Sequence, residues 1–384
     1  MTDTAPMRIA IVGTAKRSAY LYGQILRDLP GAELVGVWGR SEESARRTAE
    51  QLGGVPHYTD LDRMIRETAP QIGIVCVSYG ANGQVGLMAV EHGLNVLVET
   101  PIAHNLAEAD AIIDAARKAR VKVEVAEQFH RRPMEQIKLA LLRAGLFGEV
   151  YSSFNDFAGH GYHGVSVMRS YLGFDARPVQ VTGACRTYGL APHWSRIGGN
   201  LAARDEGQEH GIVEFDDGRL GLYHWTSVGY DSPLRWWRSS RFLAEKGMGI
   251  TTGVYPDLHE DLTLLSPDGK GPRPVQIERQ YERVDGGALT AVVAYTGDPD
   301  LPTVTWENPF RPSVQGARPQ WHDDEIGVAG CIQSLIDAVR NGTEPSYGAE
   351  QGRLDQEITT AIRQSSQAGG KPVTLPLDRA SQTA

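Results

Sequence analysis

Short apolar runs rich in β-branched residues recur through the first third of the chain, at Arg8–Val12, Glu33–Trp38, Ile72–Val77, Asn95–Val98 and Lys122–Ala126, with amphipathic stretches between them. Alternation of such runs with helical segments predicts successive strand–helix units around a parallel sheet. From Leu106 to Ala119 apolar residues return at helical spacing, which puts Ala109, Ile112, Ile113 and Ala116 on one face, and Asn105 stands where its side chain caps the first turn. Gly93, after Glu91 and His92, occupies a helix stop that needs a left-handed residue.

After Pro133 the pattern changes. One helix runs through Leu142, and long alternating segments follow, among them His210–Phe215 and Leu220–Ser227 on either side of Asp216-Asp217-Gly218. An aspartate–glycine turn between alternating runs is a hairpin signal, so a mostly antiparallel sheet is expected. Val254 to Gln320 reads as Pro- and Gly-rich loops, and two helices close the chain, Asp324–Val339 and Gln351–Gln364, with apolar spacing at Ile332, Leu335, Ile336 and Val339 and at Leu354, Ile358 and Ile362. With 384 residues the chain exceeds a single core, and two domains of about 100 to 200 residues are expected.

Composition narrows the function classes. The net charge is −9 with acids and bases interleaved, and without a basic block no nucleic-acid partner is expected. The segment Met1 to Met7 lacks the basic and apolar regions of a secretory signal, and no apolar run approaches the roughly 20 residues that cross a bilayer, so a cytoplasmic protein without membrane association is expected. Cys76, Cys185 and Cys331 are few, odd in number and widely spaced, as structural thiols in a reducing compartment are.

Directly after the first run stands Gly13-Thr14-Ala15-Lys16-Arg17-Ser18. A dinucleotide pyrophosphate needs a tight turn, close backbone approach and the amide-rich end of a helix. Gly13, Thr14, Ala15, Arg17 and Ser18 are candidates for that role: Ala15 is small enough for close approach, and Ser18 brings a hydroxyl where a third glycine would pack. The plainer alternative is a strand-to-helix turn. The second run ends in Trp38-Gly39-Arg40-Ser41, without the acid that takes the adenosine ribose of NAD. Gly39, Arg40 and Ser41 therefore suit NADP over NAD, since a guanidinium matches a 2′-phosphate in charge and geometry; the alternative is a helix cap at Ser41 beside a solvated arginine.

The apolar run Asn95–Val98 ends abruptly in Glu99-Thr100-Pro101, and further on lie Gly161-Tyr162-His163-Gly164-Val165-Ser166 and Tyr171-Leu172-Gly173. From about Met7 to about Leu377 the chain resembles the Gfo/Idh/MocA family of sugar and polyol dehydrogenases. The resemblance implies an α/β Rossmann domain over residues 1–127 and an α+β domain with an open, mostly antiparallel sheet over 128–384, the latter often serving subunit association, hence a homo-oligomer, dimer or tetramer. It also implies NAD or NADP as cofactor, with Ser78, Tyr79, Asn82, Glu99, Pro101 and Gln128 lining the cofactor cleft, and a cis bond before Pro101.

Oxidising a secondary alcohol requires a base for the hydroxyl proton and a group that steadies the developing alkoxide. The family draws these from Glu-Lys-Pro and Asp-x-x-x-His. Here the lysine's place holds Thr100, the aspartate's place holds Gly159, and the histidine corresponds to His163. A neutral hydroxyl supplies no positive charge, whereas an imidazole with an ordinary pKa of about 6.5 suits proton transfer. The catalytic candidates are His163, Thr100, His160 and Tyr162. Asp156, His160 and His163 match no metal motif, so no metal is expected. Arg131, Trp194 and Arg196 suit a carbohydrate-like ligand, through aromatic stacking and guanidinium hydrogen bonds; the alternative for Trp194 and Arg196 is sheet packing or a dimer contact. The implied activity is a nicotinamide-dependent oxidoreductase acting on such a small molecule. The rivals are a glycosidase or lyase with transient internal redox, and a non-catalytic regulatory protein that binds nucleotide or sugar.

Overall fold

The structure is a computed structural model that describes residues 5–158, 160–194, 199–227, 237–254, 257–266, 271–282, 287–310 and 321–377. The chain divides into two compact units, one drawn from 1–131 and 312–356, the other from 132–311 and 357–378.

The first unit begins with alternating strands and helices: β1 (Met7–Val12), α1 (Gln24–Asp28), β2 (Ala32–Trp38), α2 (Glu42–Gln51), β3 (His57–Tyr58), α3 (Leu61–Thr68), β4 (Ile72–Val75), α4 (Asn82–Glu91), β5 (Asn95–Val98), α5 (Leu106–Ala119) and β6 (Val123–Val125). All neighbours pair in parallel, in the order β3-β2-β1-β4-β5-β6. Ile9, Ile11, Ile72, Ile74, Val96 and Leu97 are buried, as strands covered on both faces require. Helix α5 has the expected bounds because Asn105 caps it, its Oδ1 accepting the Glu108 amide at 2.9 Å. Gly93 stops α4 with φ +81°.

The second unit contains α6 (Pro133–Arg143), β7 (Val150–Ala158), α7 (Gly161–Leu172), β8 (Pro178–Leu190), β9 (His193–Trp194), β10 (Asn200–Leu201), β11 (Arg204–Phe215), β12 (Leu220–Thr226), β13 (Trp237–Ala244), β14 (Gly247–Val254), β15 (Asp257–Leu264), β16 (Arg273–Tyr281), β17 (Leu289–Tyr295) and β18 (Thr303–Glu307). The last elements are α8 (Asp323–Asn341), α9 (Ala349–Gln367) and β19 (Val373–Thr374). An eleven-stranded sheet runs β18-β17-β16-β15-β14-β13-β7-β12-β11-β8-β19. Its pairs are antiparallel except β7 with β12, and the expected hairpin joins β11 to β12. The stretch after Val254 carries β15 to β18 rather than loops alone: β15, β16 and β18 expose alternate residues and show little apolar run in the sequence, whereas β17 is apolar and mostly buried. Helix α8 packs beside β5 and β6 in the first unit, which a linear division of the chain at 127/128 does not contain. Among the described residues no helix is long and apolar enough to cross a membrane.

A buried ionic cluster ties five elements of the second unit together. The Lys138 ammonium lies 3.0 Å from both Glu135 and Glu260 and donates to Thr251 Oγ1 at 2.5 Å. Arg238 and the Tyr171 hydroxyl donate to the two Glu135 oxygens at 2.6 and 2.5 Å. Burial alone would raise the Glu135 pKa, but the neighbouring Lys138 and Arg238 charges outweigh it and hold the carboxyl down to about 2, from an ordinary 4.5. Removing one partner strands the others without solvent. Lys138→Ala should cost about 3–5 kcal/mol in denaturant unfolding. Because Glu135 binds its proton more tightly unfolded than folded, its contribution should be complete above pH 4.5 and fade as pH falls toward 2, and the variant should lose that part of the acid dependence. Equal stability of variant and wild type would contradict this role.

Candidate functional site

The first-unit sheet reverses its strand order between β1 and β4, and ligands of doubly wound sheets bind in the crevice outside the carboxyl ends at that switch point. The loop leaving β1 is built for close approach. Gly13 has φ +132°, and a Cβ there would lie 2.1 Å from the Cys76 carbonyl oxygen, so only glycine fits. Its amide donates to Trp38 O at 2.9 Å, and the Ala15 amide donates to Cys76 O at 3.3 Å. Buried Ser18 donates its hydroxyl to Gly13 O at 3.1 Å and Cys76 O at 3.3 Å, so it braces the loop from within rather than facing outward. A π-helical turn, Ser18–Gly23, follows, a widened geometry frequent at functional sites. Gly39 packs against the Thr14 methyl, where a Cβ would approach to 2.7 Å.

Arg17 reaches from this loop to the end of β5. Its Nε donates to Glu99 Oε1 at 2.5 Å, its Nη1 lies 4.0 Å from Asp324 on α8, and its Nη2 is buried without a hydrogen-bond partner. Burial opposes the charge, but Glu99, by charge and hydrogen bond, together with Tyr22 and Asp324 outweighs it and raises the Arg17 pKa, so the guanidinium stays protonated. The second Glu99 oxygen accepts the Thr100 amide at 3.1 Å. Buried Asn82 donates to Glu99 O and Pro101 O, both at 3.1 Å, and so clamps the turn from below; the Thr100–Pro101 peptide is cis, as expected. Gln128 donates to Asp324 Oδ1 at 3.3 Å. No local pattern marks Asp324 or Tyr22 as site residues; the buried Tyr22 phenol has its pKa raised by burial and then by Glu99.

Other candidates sit at the edges of this arrangement. Ser78 and Tyr79 are exposed, and Tyr79 meets His104 edge-on at 5.7 Å. Ser41 caps α2, accepting the Ser44 amide at 3.3 Å, while exposed Arg40 has no hydrogen-bond or ion-pair partner among the described residues. Arg131 is committed to architecture: its guanidinium is bound to Glu124, Gly330 O and Ser346, in the first unit.

In the second unit, His163 is buried in the first turn of α7, its ring edge-on to Tyr162 at 4.5 Å and to His160 at 6.0 Å, while His160 stacks on Tyr162 at 5.4 Å. Asp156 does not join them. Its carboxylate binds His224 Nδ1 at 2.6 Å, and His224 stacks on His210 at 4.3 Å. Gly221 and Tyr223 meet α7, so alternation along β12 puts His224 and its partner Asp156 on the opposite face of the sheet. No group of three His, Cys, Asp or Glu suited to a metal occurs among the described residues. Trp194 is exposed on β9; Arg196 and Gly159 lie outside the described residues.

Fold and loop together define a two-unit protein with a dinucleotide-type α/β domain. Residues 7–127 match the family described as oxidoreductase family, NAD-binding Rossmann fold. The chain is similar to glycosyl hydrolase family 109 protein 1 of Akkermansia muciniphila (27% identity over 204 residues, 51% of this chain and 39% of the relative). It is also similar to D-glucoside 3-dehydrogenase of Escherichia coli (28% over 149 residues, 38% and 42%). The chain thus spans about two fifths of the length of these curated relatives. Among solved structures, an NAD-binding oxidoreductase of Klebsiella pneumoniae (TM-score 0.72, 16% identity, 97% of this chain and 100% of that one) and levoglucosan dehydrogenase in complex with NADH and levoglucosan (0.69, 15%, 97% and 100%) share the fold.

The thiol beneath the Gly13 loop is shielded. Burial, then Glu99, pushes Cys76 up to about 12, and burial likewise raises Cys331. Thiol titration of the native protein at pH 8 should therefore label half-buried Cys185 alone, with all three reacting after unfolding. Labelling of Cys76 or Cys331 at the rate of Cys185 would contradict this packing.

Proposed function

We propose that the chain is an NAD(P)-dependent oxidoreductase acting on a sugar, polyol or related carbohydrate-like molecule, with the dinucleotide across the carboxyl edge of the first-unit sheet. The observation that carries this reading is the Gly13 turn at the strand-order reversal, where no side chain fits. The loop of Gly13, Thr14 and Ala15 suits the pyrophosphate, with Gly39 and Arg40 at the adenosine end and Glu99, Pro101 and Gln128 along the cleft. The chemistry such a cofactor supplies is hydride transfer. His163 is the proton-transfer residue, assisted by Thr100, His160 and Tyr162, while Trp194 and Arg196 contact substrate. Arg40, without a partner among the described residues, supports NADP, whereas Glu42 and Glu43 in the first turn of α2 oppose a further phosphate. The broad open sheet supports a dimer or tetramer, and three unpaired thiols support a cytoplasmic location.

A second reading has a specific observation behind it, the similarity to a glycosyl hydrolase. It keeps the cofactor but returns the hydride within one turnover. Product unchanged in redox state, formed without added cofactor, would favour it over net oxidation.

His163→Ala should lower turnover by roughly 10²–10⁴-fold while leaving dinucleotide affinity unchanged; full activity would overturn the assignment. Arg40→Ala should shift the NADP-to-NAD affinity ratio toward NAD by about tenfold, read by calorimetric titration. An unchanged ratio would leave Arg40 as a solvated surface charge.

A further inference from the structure

The Arg17–Glu99 pair runs across the switch point, from the loop after β1, past the end of β4, to the end of β5. A doubly wound sheet comprises two mononucleotide-binding halves, here β1–β3 and β4–β6, and the ribose nearest the end of β2 is that of adenosine. The end of β5, with Glu99, therefore serves the nicotinamide half. Arg17 delivers a permanent positive charge there from the opposite half of the sheet. Its side chain is 30% exposed and that of Glu99 10%, so the pair borders the crevice rather than lying in bulk solvent.

The two states of a nicotinamide differ by one unit of charge, the oxidised ring being a cation and the reduced ring neutral. A fixed charge beside the ring acts on one state and not on the other. Paired as they stand, Arg17 and Glu99 nearly cancel, and Asp324 adds a negative charge 4.0 Å from Arg17. Loss of Arg17 would leave Glu99 and Asp324 uncompensated beside the ring and favour the cation. Loss of the Glu99 charge would leave the guanidinium exposed to the ring and disfavour it.

We infer that Arg17 is an electrostatic positioning residue: held by Glu99, it sets the charge at the nicotinamide end of the crevice and thereby the preference of the protein between oxidised and reduced cofactor. The inference rests on the cofactor reading above. A merely structural role for the pair would weaken both cofactor forms alike, whereas this role moves their ratio, with opposite signs for the two partners.

The test is calorimetric titration of the full chain with NAD⁺, NADH, NADP⁺ and NADPH, on wild type, Arg17→Met, Arg17→Lys and Glu99→Gln. For a unit charge bordering the crevice, Arg17→Met should shift the oxidised-to-reduced affinity ratio toward the oxidised form by roughly three- to thirtyfold, and Glu99→Gln should shift it the other way. Arg17→Lys, which keeps the charge, should stay within about twofold of wild type. Should Arg17→Met fail to fold, the contrast of Glu99→Gln with Arg17→Lys carries the same test. Wild-type binding with one ratio shared by all variants, or shifts of the same sign for both partners, would overturn this inference alone. Failure of all four cofactors to bind wild type would overturn it together with the cofactor reading.

Discussion

One ion pair organises the candidate site. Arg17 and Glu99 join the loop after β1 to the end of β5, so the two halves of the first-unit sheet are held across the point where strand order reverses. Each end of that bridge is anchored from below. Gly13 has no room for a side chain, Ser18 is buried under the loop with its hydroxyl on two carbonyls, and Asn82 holds the Glu99–Pro101 turn by two more. These contacts stiffen the two segments that border the crevice, and a site held within fractions of an ångström needs such support. The bridge also puts a permanent cation near Thr100, a position where the resemblance leads one to expect a lysine.

The second unit relies on a different device. Most of its strands alternate exposed and buried residues, and the buried cluster of Glu135, Lys138, Arg238, Thr251 and Glu260 fixes how α6, β13, β14 and β15 meet. Buried charge of this kind specifies geometry more than it adds stability, since its attractions only offset the cost of desolvation. Helix α7 is packed on the same sheet and carries His163 among aromatic rings. Asp156 serves the other face, where it orients His224. The polar density that the sequence shows around His163 is therefore shared between two faces.

Much of the fold was legible where burial dictates residue type. The parallel strands could be read because both their faces are covered, and α5 because Asn105 and its apolar stripe agree on its limits. Legibility failed where pairing rather than hydrophobicity makes the strand: β11 starts at Arg204, six residues before the alternating run, because the polar segment Arg204 to Glu209 pairs with β8. The site followed the same rule. The Gly13 turn and the Glu99–Pro101 turn are local and carry local signals, but their union through Arg17 spans 82 residues of sequence. The approach of Asp324 depends on α8 returning to the first unit, which a helical pattern reveals as a helix without revealing its neighbour. Arg131 shows the converse: a guanidinium that composition offers to a ligand is committed to Glu124.

Native mass spectrometry of the purified chain mixed with NAD and with NADP decides whether the crevice at the strand reversal holds a nicotinamide dinucleotide. If it does, one dinucleotide per chain is expected for at least one of the two, lost in Gly13→Val, whose side chain would meet the Cys76 carbonyl. A wild-type spectrum free of bound dinucleotide in both mixtures, or equal binding by the Gly13→Val protein, would contradict that assignment.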